Sequence, residues 1–169
     1  MTDNGTVFSI NTSPGGVPKL PVSEAMVTAT GLDSDSHSNL KYHGGVDRAV
    51  CIYSIERILA LQEEGHPIGT GSTGENLTVT GLDWDLVVPG SSLEVGEALL
   101  EIVSYTTPCR TIRDSFSGEK FSRISQKHFP GWSRVYARVL EEGTIRQGDP
   151  AILTRTEAPR KSGLQALLD

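Results

Sequence analysis

Cysteine is scarce in this 169-residue chain: there are two, Cys51 and Cys109, far apart and outside any CxxC pair. That excludes a disulfide framework and the paired-thiol spacing used for zinc, iron–sulfur clusters or dithiol redox work, and it leaves free thiols in a reducing compartment. Long apolar runs are missing too, and Met1-Thr2-Asp3-Asn4-Gly5 has neither the basic nor the apolar region of a signal peptide. A cytoplasmic protein with no membrane association is therefore expected. Positive charge is outweighed, 15 Lys and Arg against 21 Asp and Glu, which argues against nucleic acid as a partner, because neutralising phosphates needs a basic face. The length suits one domain around a single core.

What the chain does have is punctuation. Glycine (18) and proline (9) are spread along it, the mark of many short strands joined by tight turns, so the expected fold class is mainly β, in one domain spanning residues 1–169. Runs of β-branched and aromatic residues predict strands at Thr6–Ile10, Ala25–Thr30, Ala49–Tyr53, Glu75–Thr80, Leu93–Val95 and Ala98–Tyr105. Alternation in Arg134–Leu140 puts Val135, Ala137 and Val139 on one face of a further strand, and Glu142-Gly143 turns the chain into Thr144 onward. Asn11–Pro21, with Pro14, Pro18, Pro21 and Gly15-Gly16, reads as a loop. The clearest helix is capped by Ser54, carries Ile55, Ile58, Leu59 and Leu61 on one face, and stops at Gly65. A second helix is expected over Glu119–His128, where Phe121 and Ile124 stand at helical spacing. Gly31–Gly45 is polar and aperiodic, a kind of segment that often carries function in compact domains. The tail from Glu157 reads as a short helix or as disorder.

Cys109 is the most informative single residue. The strand Ala98–Tyr105 delivers it to the proline-stiffened turn Thr107-Pro108-Cys109-Arg110, beside a cation that favours the thiolate, the form that binds soft metals and attacks electrophiles. A buried, inert thiol is the plain alternative, and it is the reading for Cys51 inside its apolar run. His43-Gly44-Gly45 offers an imidazole beside backbone that a ligand can approach closely, or simply a glycine turn. Gly74-Glu75-Asn76-Leu77 sets a carboxylate and an amide at a strand mouth, suited to the edge of a polar heterocycle, or merely a turn entering the strand. Lys41, Arg48, Arg110, Arg113, Arg123 and Arg134 lie in or near these segments, so an acidic protein with a basic pocket for a small anionic ligand is expected. Asp33, Asp35, His37, His43 and Cys109 supply zinc-ligand types at no standard spacing, which makes a metal hydrolase a minor alternative.

In order and spacing, five motifs resemble the MOSC domain, the C-terminal domain type of molybdenum cofactor sulfurases, and most of all its small stand-alone bacterial members. They are Gly15-Gly16-Val17-Pro18-Lys19, His43-Gly44-Gly45-Val46-Asp47-Arg48-Ala49-Val50, Gly74-Glu75-Asn76-Leu77, Thr107-Pro108-Cys109 and Tyr136-Ala137-Arg138-Val139-Leu140-Glu141-Glu142-Gly143. The resemblance covers residues 7–154, with 155–169 as a tail; Ser34 departs from it, standing where the family commonly has glycine before the aspartate of its early loop. It implies a closed or nearly closed MOSC-type β-barrel with a few peripheral α-helices, and a molybdenum cofactor of molybdopterin type; pyridoxal phosphate is not expected. It also implies Cys109 as molybdenum ligand or carrier of sulfane sulfur, with His43, Gly44 and Gly45 bordering the cofactor. Glu75 and Asn76 would hydrogen-bond its polar edge, Arg48 or Arg110 would meet its charge, and His43 or Asp35 would supply a proton. The implied activity is reduction of small N-hydroxylated substrates such as purines or amidoximes, fed by an external electron-donor protein because no flavin or haem signature is evident. The alternative is a non-catalytic carrier that serves cofactor-biosynthesis or acceptor proteins with cofactor or persulfide.

Overall fold

Strands form where the turn punctuation isolates β-branched runs, and their partners then set their true lengths. The computed structural model describes residues 1–36 and 45–155, so the expectations placed on His37, Lys41, His43, Gly44 and the tail from Glu157 lie outside the described residues. The strands are β1 (Thr2–Thr12), β2 (Leu20–Val22), β3 (Glu24–Thr28), β4 (Gly31–Leu32), β5 (Val50–Ser54), β6 (Leu77–Thr80), β7 (Ser92–Val95), β8 (Ala98–Tyr105), β9 (Val135–Glu141), β10 (Gly143–Arg146) and β11 (Pro150–Thr154), with one α-helix among the described residues, α1 (Ile55–Glu63). Seven strands close into a barrel in the order β11-β7-β8-β9-β5-β6-β1, and β1 returns to β11 through pairs from Thr2↔Thr154 to Thr6↔Pro150. Closure removes the unpaired edges of an open sheet. β2 extends β1 outside the ring, while β10, β3 and β4 make a small second sheet. The chain is thus mainly β, a closed barrel with little helix.

The closing partner explains why β1 begins at Thr2 and not at Thr6: β11 supplies the ladder for its polar first half. β5 and β6 run parallel, which requires a crossover, and α1 lies in it. Ser54 caps that helix by accepting from the Arg57 backbone N–H at 3.2 Å. Ile55, Ile58 and Leu61 are buried, but Leu59, about 100° around the helix from Ile58, is 52 % exposed and leaves the expected apolar face. No helix among the described residues is long and apolar enough to cross a membrane.

The expected helix at Glu119–His128 does not form. The chain instead makes three short 3₁₀ turns, Arg110–Ser115, Ser117–Glu119 and Phe121–Ile124. Gly118 and Glu119 take φ of 64° and 58°, left-handed values that break an α-helical path. Phe121 and Ile124 are three apart, which suits a 3₁₀ turn as well as an α-turn, and Ser125 then turns extended.

Register settles which side chains leave the interior. Val50↔Ala137 and Ile52↔Val135 are wholly buried pairs of the core. Alternation sends the pair between them, Cys51↔Tyr136, to the opposite face of the barrel wall. Every residue of β5 is buried all the same, so that outer face is covered as well.

Candidate functional site

A ring of loops around a cavity of about 370 Å³ provides that cover. Cys51 and Tyr136 contribute the strand surface, and Arg134 enters from the residue before β9. Gly16, Val17 and Lys19 come from the loop after β1, Thr73, Gly74 and Asn76 from the approach to β6, and Thr107, Cys109, Thr111 and Ile112 from the turn after β8. Ser36 and Arg48 complete the lining.

Cys109 arrives in extended conformation (φ −138°, ψ 177°) at the start of the 3₁₀ turn Arg110–Ser115, and its carbonyl oxygen accepts from the Ile112 N–H at 3.2 Å. The thiol is half-buried, with Sγ 2.9 Å from Thr111 Oγ1. β8 is irregular just before this point: its register against β9 shifts between Ile102 and Ser104, which brings Ser104 opposite Tyr136. Such shifts bend a strand and re-aim the residues beyond the bend. The turn is tied to the facing loop through Ser115, whose Oγ lies 2.8 Å from Ser72 Oγ.

Asn76 acts as an extra rung of the barrel. Its backbone N–H donates to the Cys51 carbonyl at 2.8 Å, and its side-chain oxygen accepts from the Cys51 N–H at 3.0 Å. Its amide nitrogen donates to Asp35 Oδ2 at 2.9 Å. Asp35 also accepts from Lys19 Nζ at 2.6 Å and from the Ser13 N–H at 2.9 Å, and both members of the ion pair are enclosed, at 6 % and 2 % exposure. Asp35 therefore stands behind the wall and holds two cavity residues, Lys19 and Asn76, in place.

Glu75 is wholly buried and also stands behind the wall. It accepts from the Gly71 N–H (2.6 Å), Thr73 Oγ1 (2.8 Å) and Thr78 Oγ1 (3.2 Å), and it is not among the residues that line the cavity. Desolvation pushes its pKa above the usual carboxylate range against these hydrogen bonds. Burial likewise pushes the Cys51 thiol up to about 11, with Arg134 pulling the other way, and the Tyr136 phenol up to about 12, with Cys51 adding to the rise. Both groups keep their protons at neutral pH. Arg48 lies over the Tyr136 ring at 5.6 Å.

Of the residues expected at a site, Cys109, Asn76 and Arg48 meet in the cavity. Gly45, at φ 84°, starts the turn Val46–Arg48 beside it, and Arg110 is exposed and outside the lining. His43 and Gly44 lie outside the described residues. Among the described residues no three of His, Cys, Asp and Glu come together as a metal cluster. Sequence reasoning gave no individual site role to Lys19, Cys51, Arg134 or Tyr136. A signal for two of them was present: the alternation that places Val135 and Ala137 inside puts Arg134 and Tyr136 together on the other face.

A MOSC domain model matches residues 39–151. The chain is 32% identical over 136 residues to the uncharacterized protein YflK of Bacillus subtilis, across 79% of this chain and 60% of that protein. To the protein YiiM of Escherichia coli it is 31% identical over 118 residues, across 67% and 53%. It therefore spans less than two thirds of either relative. The crystal structure of YiiM from Geobacillus stearothermophilus matches with a TM-score of 0.70 and 28% identity, over 89% of this chain and 75% of that one. The YuaD protein of Bacillus subtilis matches with a TM-score of 0.72 at 17% identity, over 93% and 99%, a likeness of fold alone. With the family model covering more than half of its residues, and a barrel shared with these structures, the chain belongs to the MOSC domain family.

Proposed function

We propose that this protein binds a molybdenum cofactor of molybdopterin type and reduces N-hydroxylated compounds, with Cys109 as the molybdenum ligand. The observation that carries this is the convergence of the Cys109 thiol and three basic side chains, Lys19, Arg48 and Arg134, on one cavity of a MOSC-family barrel. The residues present fit an anionic dithiolene group: the lining is cationic, Gly16 and Gly74 leave backbone open to close approach, and the buried Nε of Arg134 has no partner among the described residues.

When bound, the cofactor supplies a two-electron redox centre; cleaving N–OH to N–H consumes two electrons and two protons and releases water. Cys109 contributes a soft thiolate ligand. Tyr136, protonated at neutral pH, presents a hydrogen-bond donor to the ligand space, and Arg48 over its ring adds positive charge beside it. Asp35 acts indirectly, by holding Lys19 and Asn76, so proton delivery falls to groups that line the cavity or to His43. Electrons come from an external donor protein in the cytoplasm.

Expression in cells that make the cofactor tests the reading. Wild type is expected to carry molybdenum and pterin and, given reductant, to reduce an N-hydroxylated purine; Cys109→Ala loses the metal and the activity. If wild type and variant are equally inactive and free of molybdenum, the reading fails. A second reading, a carrier of cofactor or persulfide sulfur, is favoured by one feature: Cys109 is only half-buried and so open to a partner's sulfur. A persulfide mass shift on Cys109 without bound molybdenum would select it.

A further inference from the structure

Beyond Cys109 the chain runs through the turn Arg110–Ser115, which carries the cavity residues Thr111 and Ile112, into the turn Ser117–Glu119. Its ties to the rest of the protein differ in kind. Phe116 is buried, and Ser115 Oγ meets Ser72 Oγ at 2.8 Å; neither of these titrates. A further tie does: the Ser117 N–H donates to His66 Nδ1 at 3.1 Å, while the imidazole packs edge-on against Phe116 with ring centroids 5.4 Å apart. The His66 side chain is enclosed, at 10 % exposure.

A backbone N–H can only donate, so Nδ1 is the bare nitrogen of a neutral ring and Nε2 carries the proton. Nε2 faces Glu64 Oε1 at 3.7 Å, beyond hydrogen-bond length. A second proton would go to Nδ1, where it meets the Ser117 N–H donor to donor. Against this loss stands the attraction of the imidazolium to Glu64. That carboxylate is 40 % exposed and already held by Arg123, through Nε at 2.9 Å and Nη2 at 2.8 Å, so its attraction for a further cation is small. The Arg123 hydrogen bonds also keep the Glu64 carboxyl below the usual carboxylate range, so it stays charged while an imidazole titrates. Glu119, on the pinned turn, is directed to Arg113 at 3.9 Å. The lost hydrogen bond outweighs the gained ion pair.

We propose that His66 is an acid-released pin on the wall of the cavity: neutral, it holds Ser117, and on taking a second proton it lets go the segment that runs back to Cys109. The pin uses none of the groups that line the cavity, so it stands or falls apart from the molybdenum reading.

The full chain, isotopically labelled and purified without cofactor, is followed by NMR from about pH 8 to about pH 5, the span in which an imidazole titrates. At the upper end the His66 nitrogen shifts should mark Nδ1 as unprotonated. The protection factor of the Ser117 amide, corrected for intrinsic exchange, is expected to fall roughly fivefold or more as the ring takes its second proton, while the amides of β5 keep theirs. His66→Asn offers an Oδ1 that accepts from the same N–H but does not titrate, so Ser117 protection should stay flat in that variant. Alkylation of Cys109 by iodoacetamide reads the link to the cavity. The ratio of the wild-type rate to the His66→Asn rate, in which the thiol's own titration cancels, should rise on acidification. Flat Ser117 protection in wild type, an equal fall in His66→Asn, or a proton on Nδ1 at the upper end overturns the pin, and a constant alkylation ratio overturns its hold on the cavity wall. Should His66→Asn fail to fold, the ring shifts and Ser117 protection of wild type decide alone.

Discussion

Cys51 and Cys109 show how differently two identical side chains fare within one cavity. Cys51 sits in the strand surface that lines the cavity, where desolvation holds its proton, whereas Cys109 rides on a turn at the half-buried rim. Glu75 is the residue whose chemistry departs furthest from a surface carboxylate, and it gives a pH test. Its folded pKa is raised, so the native state binds this proton more tightly than the unfolded chain does. The resulting stability is fully present below the ordinary value of 4.5 and is lost as pH climbs through the raised one. Glu75→Gln mimics the neutral form and does not titrate, so its stability relative to wild type should increase as pH rises from 4.5 toward neutrality. Urea unfolding across that range checks this; a pH-independent gap between the two proteins contradicts it. The sequence marked Glu75 only as a carboxylate at a strand mouth within the Gly74-Glu75-Asn76-Leu77 motif; its burial behind the wall depends on Gly71, Thr73 and Thr78 folding around it.

At the scale of elements, the 69–74 loop decides the shape of the cavity. Gly71 is its node: the N–H donates to Glu75 and the carbonyl accepts from the Lys19 N–H at 2.9 Å. Its φ is +76°, and a Cβ there would overlap the Lys19 carbonyl oxygen. Gly71→Ala should therefore cost at least roughly 1–3 kcal/mol of unfolding free energy and displace Lys19 from the cavity. Chemical denaturation measures the cost, and loss of molybdenum from the folded fraction of protein made in cofactor-competent cells would report the displaced Lys19. Local pattern sufficed for some elements: β8 runs from Ala98 to Tyr105 as its apolar run predicts, and α1 starts at the Ser54 cap. It failed at Glu119–His128, because two residues at i and i+3 do not distinguish an α-turn from a 3₁₀ turn, and the left-handed step at Gly118-Glu119 was not visible in the pattern.

For the molecule as a whole, closure of β1 on β11 is the join that makes a barrel from a sheet. Deleting residues 1–5 should remove most of that ladder, cost roughly 2–4 kcal/mol at about 1 kcal/mol per net backbone hydrogen bond, and expose the edge of β11 to self-association. Faster amide exchange at Ala151–Thr154 and a lower unfolding midpoint would show it; unchanged exchange there would mean that closure contributes little. The sequence by itself determined what is local: a β-rich chain, the strand that carries Cys109, the capped helix and the motifs of the family, because alternation, capping and turn chemistry act over a few residues. Only the tertiary structure decided that Cys51 faces a cavity, that Asp35 and Glu75 stand behind its wall, and that the buried Nε of Arg134 is left without a partner among the described residues. Those facts depend on register between strands such as β5 and β9, which lie more than eighty residues apart, and hydrogen bonds across such separations leave no periodic trace in the chain.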